Sequence, residues 1–138
     1  MEIKGITSRD IWQAKKRISS YITRTPLVYS PALSEMTGAN IYLKLENLQA
    51  IGAFKVRGAA NKILSLSPEE RAKGVSTFST GNHGMAVAHI ANRLGVKAIV
   101  CMSNHVPENK VKAISRWNPV IKQDWESQDD AGKYCYEL

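Results

Sequence analysis

The sequence predicts an α/β fold built on a parallel sheet, from three observations. Short apolar runs alternate with helix-period segments, the loop "STGNHG" leads from one such run straight into a helix, and the composition is globular at 43% hydrophobic and 22% charged. A length of 138 residues is enough for one modest core.

The elements follow in order. "SRDIWQAKKRISSYI" predicts a helix capped by Ser8, with Ile11, Trp12, Ile18 and Ile22 on its apolar side. "TPLVYS" and "NIYLKLE" predict short strands, the second alternating Ile41, Leu43 and Leu45. After Gly52, "FKVRGAANKILSL" has helical spacing, and "SPEERAKG" predicts a capped surface turn with Ser67 before Pro68. "VSTFST" is the next strand, "GNHGMAVAHIANRLG" a helix closing on Gly95, "VKAIVCM" a strand, "VPENKVKAISRW" a helix and "PVIKQ" a further strand. "SQDDAGKYCYEL" opens a last helix with Ser127 and Asp130 as a capping pair. The chain stops there without a strand to complete the final βαβ unit, which reads as the first part of something longer. No internal repeat or low-complexity tract occurs.

Charge and cysteine usage exclude several classes. The nineteen Lys and Arg residues give a formal net charge of +7, but they are scattered and mostly interleaved with acids, apart from Ala14 to Arg17. That pattern describes a solvated basic surface, and neither a clustered positive face nor aromatic stacking platforms argue for nucleic acid. Cys101 and Cys135 have no metal-ligand spacing and read as packed, reduced thiols. No run approaches membrane length and "MEIKGITSRD" has no signal-peptide core, so the expected compartment is the cytoplasm. A dinucleotide-binding domain is disfavoured because no G-x-G-x-x-G opens a helix.

Two places carry chemistry. In "GAFKVRGA" a lysine, Lys55, follows a turn glycine and sits between Phe54 and Val56. A surface lysine on an amphipathic helix would explain "FK" alone, whereas a lysine with a partly buried stem loses its proton more readily and attacks carbonyls. The loop Ser79 to Gly84 lies at the carboxyl end of a parallel strand and the start of a helix, where α/β proteins bind ligands and backbone N–H groups favour an anion.

Together, "KLENLQAIGAFKVRGAANKI", "STGNHGMAVAHIANRLG" and "VPENKVKAI" resemble, in order and spacing, the pyridoxal-phosphate enzymes of the tryptophan-synthase β-like class, fold type II. Within that class the nearest in character are threonine and serine dehydratases, serine racemase and the hydroxyectoine-utilisation dehydratases. The resemblance runs from about Ile11 to Leu138 and covers less than half of a family member. It implies the N-terminal part of a two-lobe enzyme, with residues 1–66 belonging to the larger cofactor lobe and 74–138 to a smaller, incomplete parallel α/β lobe. It implies that Lys55 is the catalytic lysine, forming the internal Schiff base with pyridoxal phosphate, that Phe54 lies beside the cofactor ring, and that Asn82 hydrogen-bonds the ring hydroxyl oxygen. Ser79, Thr80, Gly81 and His83 match the loop receiving the substrate carboxylate. His89 and His105 match nothing catalytic, and Trp117 and Trp125 read as packing residues.

The implied activity is α,β-elimination from a hydroxy amino acid to a 2-oxo acid and ammonia, with released Lys55 taking the Cα proton, in a homodimer of the full-length protein. A racemase, a hydroxyectoine-degradation dehydratase, or a non-catalytic fragment or interaction module of this fold are the alternatives. Ala53 stands where the family usually has serine, and Thr80 where racemases carry the serine that acts as second acid/base. The stiffer threonine favours elimination. "RWNPV" replaces a glycine-containing turn, so a rebuilt turn is expected at Asn118–Pro119. The glycine-rich phosphate loop, the group at the pyridine nitrogen and the acidic ligands of a divalent cation are expected beyond Leu138, with no metal site inside the chain. Isolated from them, this stretch is expected to associate and to show no turnover.

Overall fold

A computed structural model describes residues 5–138. Helix α1 spans Ser8–Ile18, and its N-cap is Thr7, one residue before the expected Ser8. Thr7 Oγ1 accepts from the Asp10 N–H at 3.3 Å while Asp10 Oδ2 accepts from the Thr7 N–H at 2.8 Å, a reciprocal box that Ser8 has no acid in place to form. The helix ends at Ile18, short of the expected Ile22, because Ser19 and Ser20 begin a turn.

Strands β1 (Leu27–Tyr29) and β2 (Tyr42–Lys44) form their own two-stranded ribbon, and they pair antiparallel, Val28 opposite Leu43. The connection between them holds only the short helix α2 (Pro31–Thr37). Helix α2 was not expected from periodicity, although Pro31 at its first turn and left-handed Gly38 (φ 69°) after its last are the ordinary start and stop signals.

A 3-10 turn, Glu46–Leu48, leads to α3 (Lys55–Ser65). The expected capped surface turn is the short helix α4 (Pro68–Lys73), where Ser67 Oγ accepts from the Glu70 N–H and Glu70 Oε2 from the Ser67 N–H. Then β3 (Val75–Phe78), α5 (Asn82–Leu94), β4 (Ala98–Ser103), α6 (Glu108–Ser115), β5 (Val120–Trp125) and α7 (Gln128–Glu137) alternate as the sequence predicts. The three strands form one parallel sheet in the order β3-β4-β5.

Strand β4 is the centre of this sheet, and its two faces show why it reads as a continuous apolar run. Val100 and Met102 pack with Ala88 of α5 and Ile114 of α6, whereas Cys101 packs with Ala131 and Cys135 of α7. Alternate side chains thus enter opposite layers, with α5 and α6 over one face and α7 over the other. Another cluster joins α1, α3 and α5: Ile18, Val56, Ala59, Ala60 and Ile63 meet Ala86, Val87, Ile90 and Ala91. The alanines bring the α3 and α5 backbones close together, so α3 is docked onto the helix that begins at the loop 79–84. In the turn before β5, Asn118 takes positive φ (53°), the left-handed conformation that a turn glycine would supply and that asparagine adopts more readily than most side chains.

Candidate active site

Lys55 is the first residue of α3. The chain reaches it through a tight turn in which the Gly52 N–H donates to the Gln49 carbonyl at 2.8 Å, and Gly52 sits at φ 68°, where a side chain would be strained. Phe54 is the N-cap and offers no side-chain acceptor to the first N–H groups of the helix. The expected partial burial of the lysine stem is not found. Lys55 is exposed, Phe54 is 58% exposed, and the Lys55 Nζ stands 5.1 Å from the Phe54 ring centroid. The helical rotation of about 100° per residue turns Val56 into the core and leaves Lys55 on the solvent side, so burial does not account for a reactive amine here.

The second part of the site is the passage from β3 to α5. Gly84 is buried, and a Cβ on it would stand 2.6 Å from the Ser79 carbonyl oxygen and 3.3 Å from Ile114 Cδ1. Only a glycine lets the loop lie this close to the first turn of α5. Among the described residues, Ser79 Oγ accepts from the Gly81 N–H at 3.4 Å and thereby tightens the loop. Gly81 is the N-cap, without a side-chain cap, whereas α1, α4 and α7 are capped by Thr7, Ser67 and Ser127. Among the described residues, the leading N–H groups of α5, with the partial positive charge of the helix end, therefore lack a capping side chain.

His83 connects the two parts. His83 is exposed overall, yet desolvation of its ring by the surrounding residues pushes the imidazole below the ordinary histidine value, and the charge of Lys55 pushes the same way. At neutral pH the ring is therefore neutral, with one N–H to donate and one nitrogen to accept. His83 also lines a groove of about 230 Å³ with Gly58 and Ala59 of α3 and Thr77 of β3. The helix headed by Lys55 thus lies against the helix that begins at the loop carrying Ser79, Thr80, Gly81, Asn82 and His83, and Asn82 is exposed as the first residue of α5.

Other candidates take structural places. His89 is buried with its ring 4.3 Å from that of Trp117, while His105 Nε2 pairs with Glu126 Oε2 at 2.9 Å on the surface. Trp125 packs on Tyr134. Sequence reasoning passed over Glu46 and Arg57, which form a bidentate ion pair with both N–O distances at 2.7 Å. Arg57 is two residues from Lys55, but nothing in one sequence pairs it with an acid eleven positions away. Among the described residues no group of three His, Cys, Asp or Glu could hold a metal ion.

The family of pyridoxal-phosphate dependent enzymes matches residues 18–138. The chain is 48% identical over 106 residues to the L-threonine ammonia-lyase of Thermotoga maritima, covering 77% of this chain and 26% of that protein. Among solved structures it is similar to maize serine racemase, with a TM-score of 0.83 and 37% identity over 92% of this chain and 40% of that one. It is likewise similar to the processed form of threonine deaminase isoform 2 from Solanum lycopersicum, with a TM-score of 0.83 and 32% identity over 99% of this chain and 41% of that one. The chain spans 26% to 39% of the length of the curated relatives it matches.

Proposed function

The chain belongs to the pyridoxal-phosphate dependent enzyme family, and on that premise we propose that it supplies the cofactor lysine and substrate loop of a dehydratase. The reaction converts a hydroxy amino acid such as threonine or serine to a 2-oxo acid and ammonia. The observation that supports it best is that α3, headed by Lys55, shares a groove with His83 of the loop at the uncapped head of α5.

The residues fit the cofactor by their chemistry: Lys55 offers an amine, Phe54 an exposed aromatic face and Asn82 an amide at the helix head. These three would hold it. Pyridoxal phosphate, when bound, supplies a carbonyl for amine exchange and a ring that delocalises the charge developing at Cα. Ser79, Thr80, Gly81 and His83 receive the substrate carboxylate, since free N–H groups at a helix start favour an anion. His83 contributes as a neutral ring and does not compete with the substrate ammonium as a second cation. Lys55 Nζ, when unprotonated and free, takes the Cα proton, and loss of the β-hydroxyl then becomes elimination. Thr80 weighs against racemisation because its branched side chain is stiff about χ1.

The same reading assigns residues 1–66 and 74–138 to two lobes. The separation of the ribbon β1-β2 from the sheet β3-β4-β5 supports that division, with Gly74 at the junction. A homodimer of the full-length protein in the cytoplasm, acting on a small amino acid, completes the proposal. Two buried free cysteines accord with that compartment. Among the described residues no helix is long and apolar enough to cross a membrane.

The test is the full-length polypeptide incubated with pyridoxal phosphate and reduced with borohydride. A pyridoxyl group on the peptide containing Lys55, lost together with 2-oxobutyrate formation from threonine in Lys55→Ala, is the expected result. An adduct of equal stoichiometry in Lys55→Ala would move the amine to another residue.

A further inference from the structure

Lys55 is held by its neighbours more than by its own contacts. Its side chain and that of Phe54 are exposed, and α3 begins without a side-chain cap. The arc from Ala50 to Lys55 is nevertheless anchored at both ends. On the near side, Gln49 is 5% exposed and its amide bonds the Thr23 backbone in both directions, accepting from the N–H at 3.1 Å and donating to the carbonyl at 2.8 Å. On the far side, Arg57 donates through Nε and Nη2 to the two oxygens of Glu46. Glu46 also accepts from the buried Thr25 hydroxyl at 2.5 Å and from Gln49 Nε2 at 3.4 Å, and Arg57 Nη2 reaches the Thr23 carbonyl at 3.4 Å. One network thus fixes the third residue of α3 to the 3-10 turn and to the segment 23–25. Between the two anchors lie the short glycine turn, Phe54 and Lys55, with Val56 held in the core.

We propose that Glu46, acting through the bidentate fork of Arg57, is a positioning residue for Lys55, setting the direction in which the amine meets the loop Ser79–Gly84. The inference rests on the assignment of Lys55 as the cofactor amine. A planar fork on a carboxylate fixes both distance and plane, which a single ammonium contact does not. Val56 keeps the first turn of α3 in the core, so loss of the fork loosens only its fine orientation about the Gly52 turn, which is enough to misdirect an amine whose reaction depends on orientation.

The test compares Glu46→Gln, Arg57→Lys and Lys55→Ala in the full-length polypeptide, each at a temperature where circular dichroism shows it folded. Two quantities are read: borohydride-trapped pyridoxyl-Lys55, by peptide mass at a fixed pyridoxal phosphate concentration, and kcat against KM for threonine. For both network variants the trapped fraction is expected to fall and kcat to drop on the order of tenfold to a hundredfold, with KM changing much less. Glu46→Asp is expected to recover part of the trapping. If Glu46→Gln does not fold, Arg57→Lys alone decides. Folded network variants that trap Lys55 as the parent does, with kcat unchanged, would show that the ion pair serves stability only and overturn the proposal. An adduct surviving Lys55→Ala would overturn the assignment of Lys55 and this inference with it.

Discussion

At the scale of single residues, two glycines of the site region make opposite demands. At Gly84 an added Cβ would stand 2.6 Å from a backbone carbonyl, which cannot swing aside as a side chain could. Gly84→Ala is expected to push the loop off α5 and cost about 1–3 kcal/mol, as overpacking does, with cofactor trapping at Lys55 falling in parallel. Gly58 sits inside α3 with nothing within 4 Å of an added Cβ, so the helix gains from alanine's lower backbone entropy. Gly58→Ala is expected to stabilise by about 0.5–1 kcal/mol. Thermal melts of the two variants check the pair, and a Gly84→Ala melt equal to that of the parent would show that the loop has room to move. The thiols give a third residue-scale expectation. Burial, followed by the nearby Cys135, pushes Cys101 up to about 11, so alkylation of the folded protein at neutral pH should leave Cys101 unmodified until the chain unfolds.

At the scale of elements, the join between the 3-10 turn and α3 makes stability depend on acid in a defined direction. The Arg57 fork, with smaller help from Thr25 and Gln49, holds the Glu46 carboxyl down at about 2 against an ordinary 4.5, although desolvation opposes it. A depressed carboxyl stabilises the fold fully above its unfolded value, and that contribution is lost as pH falls from about 4.5 toward 2. Glu46→Gln should therefore flatten the fall in stability over that window, measured by urea midpoints from about pH 5 to about 2.5, whereas an unchanged acid slope would assign the loss to other carboxylates. The same element shows what a sequence discloses. Helix α3, the strands β3 to β5 and the helices between them are legible because each buries a periodic apolar face. The cap at Thr7 was missed by one residue because Thr7 and Ser8 are both acceptable caps, and only the reach to Asp10 separates them. Helix α2 has a proline start and a glycine stop but no buried stripe, and of its seven residues only Ser34 is buried. For the site, the motif spacing marked Lys55 and the loop 79–84. The expected burial of the Lys55 stem was wrong and the Glu46–Arg57 pair went unseen, since both depend on how the chain from the 3-10 turn into α3 folds.

At the scale of the whole molecule, stability is unevenly distributed, and the distribution follows from which faces are covered. Val100, Cys101 and Met102 of β4 have no exposed surface and lie between helices on both sides. The ribbon β1-β2 has all six of its residues exposed, Leu27 by 63% and Tyr42 by 56%. A two-stranded ribbon is marginal without a covered face, whereas a central strand opens only with the global transition. The cluster of α1, α3 and α5 belongs with the stable part, because it joins the two sequence halves through Val56, Ile63 and Ile90. Hydrogen exchange of the 138-residue chain should therefore rank the amides, with Val100 to Met102 slowest, Val56 to Ile63 next, and the β1-β2 pairs at 27–29 and 42–44 fast. That order places Lys55 at the head of a protected helix and directly beyond a less protected ribbon, so the amine is carried by the stable part of the fold. Ribbon amides as protected as those of β4 would show that the ribbon's apolar surface is covered in solution, and that the order of stability derived from these contacts is wrong.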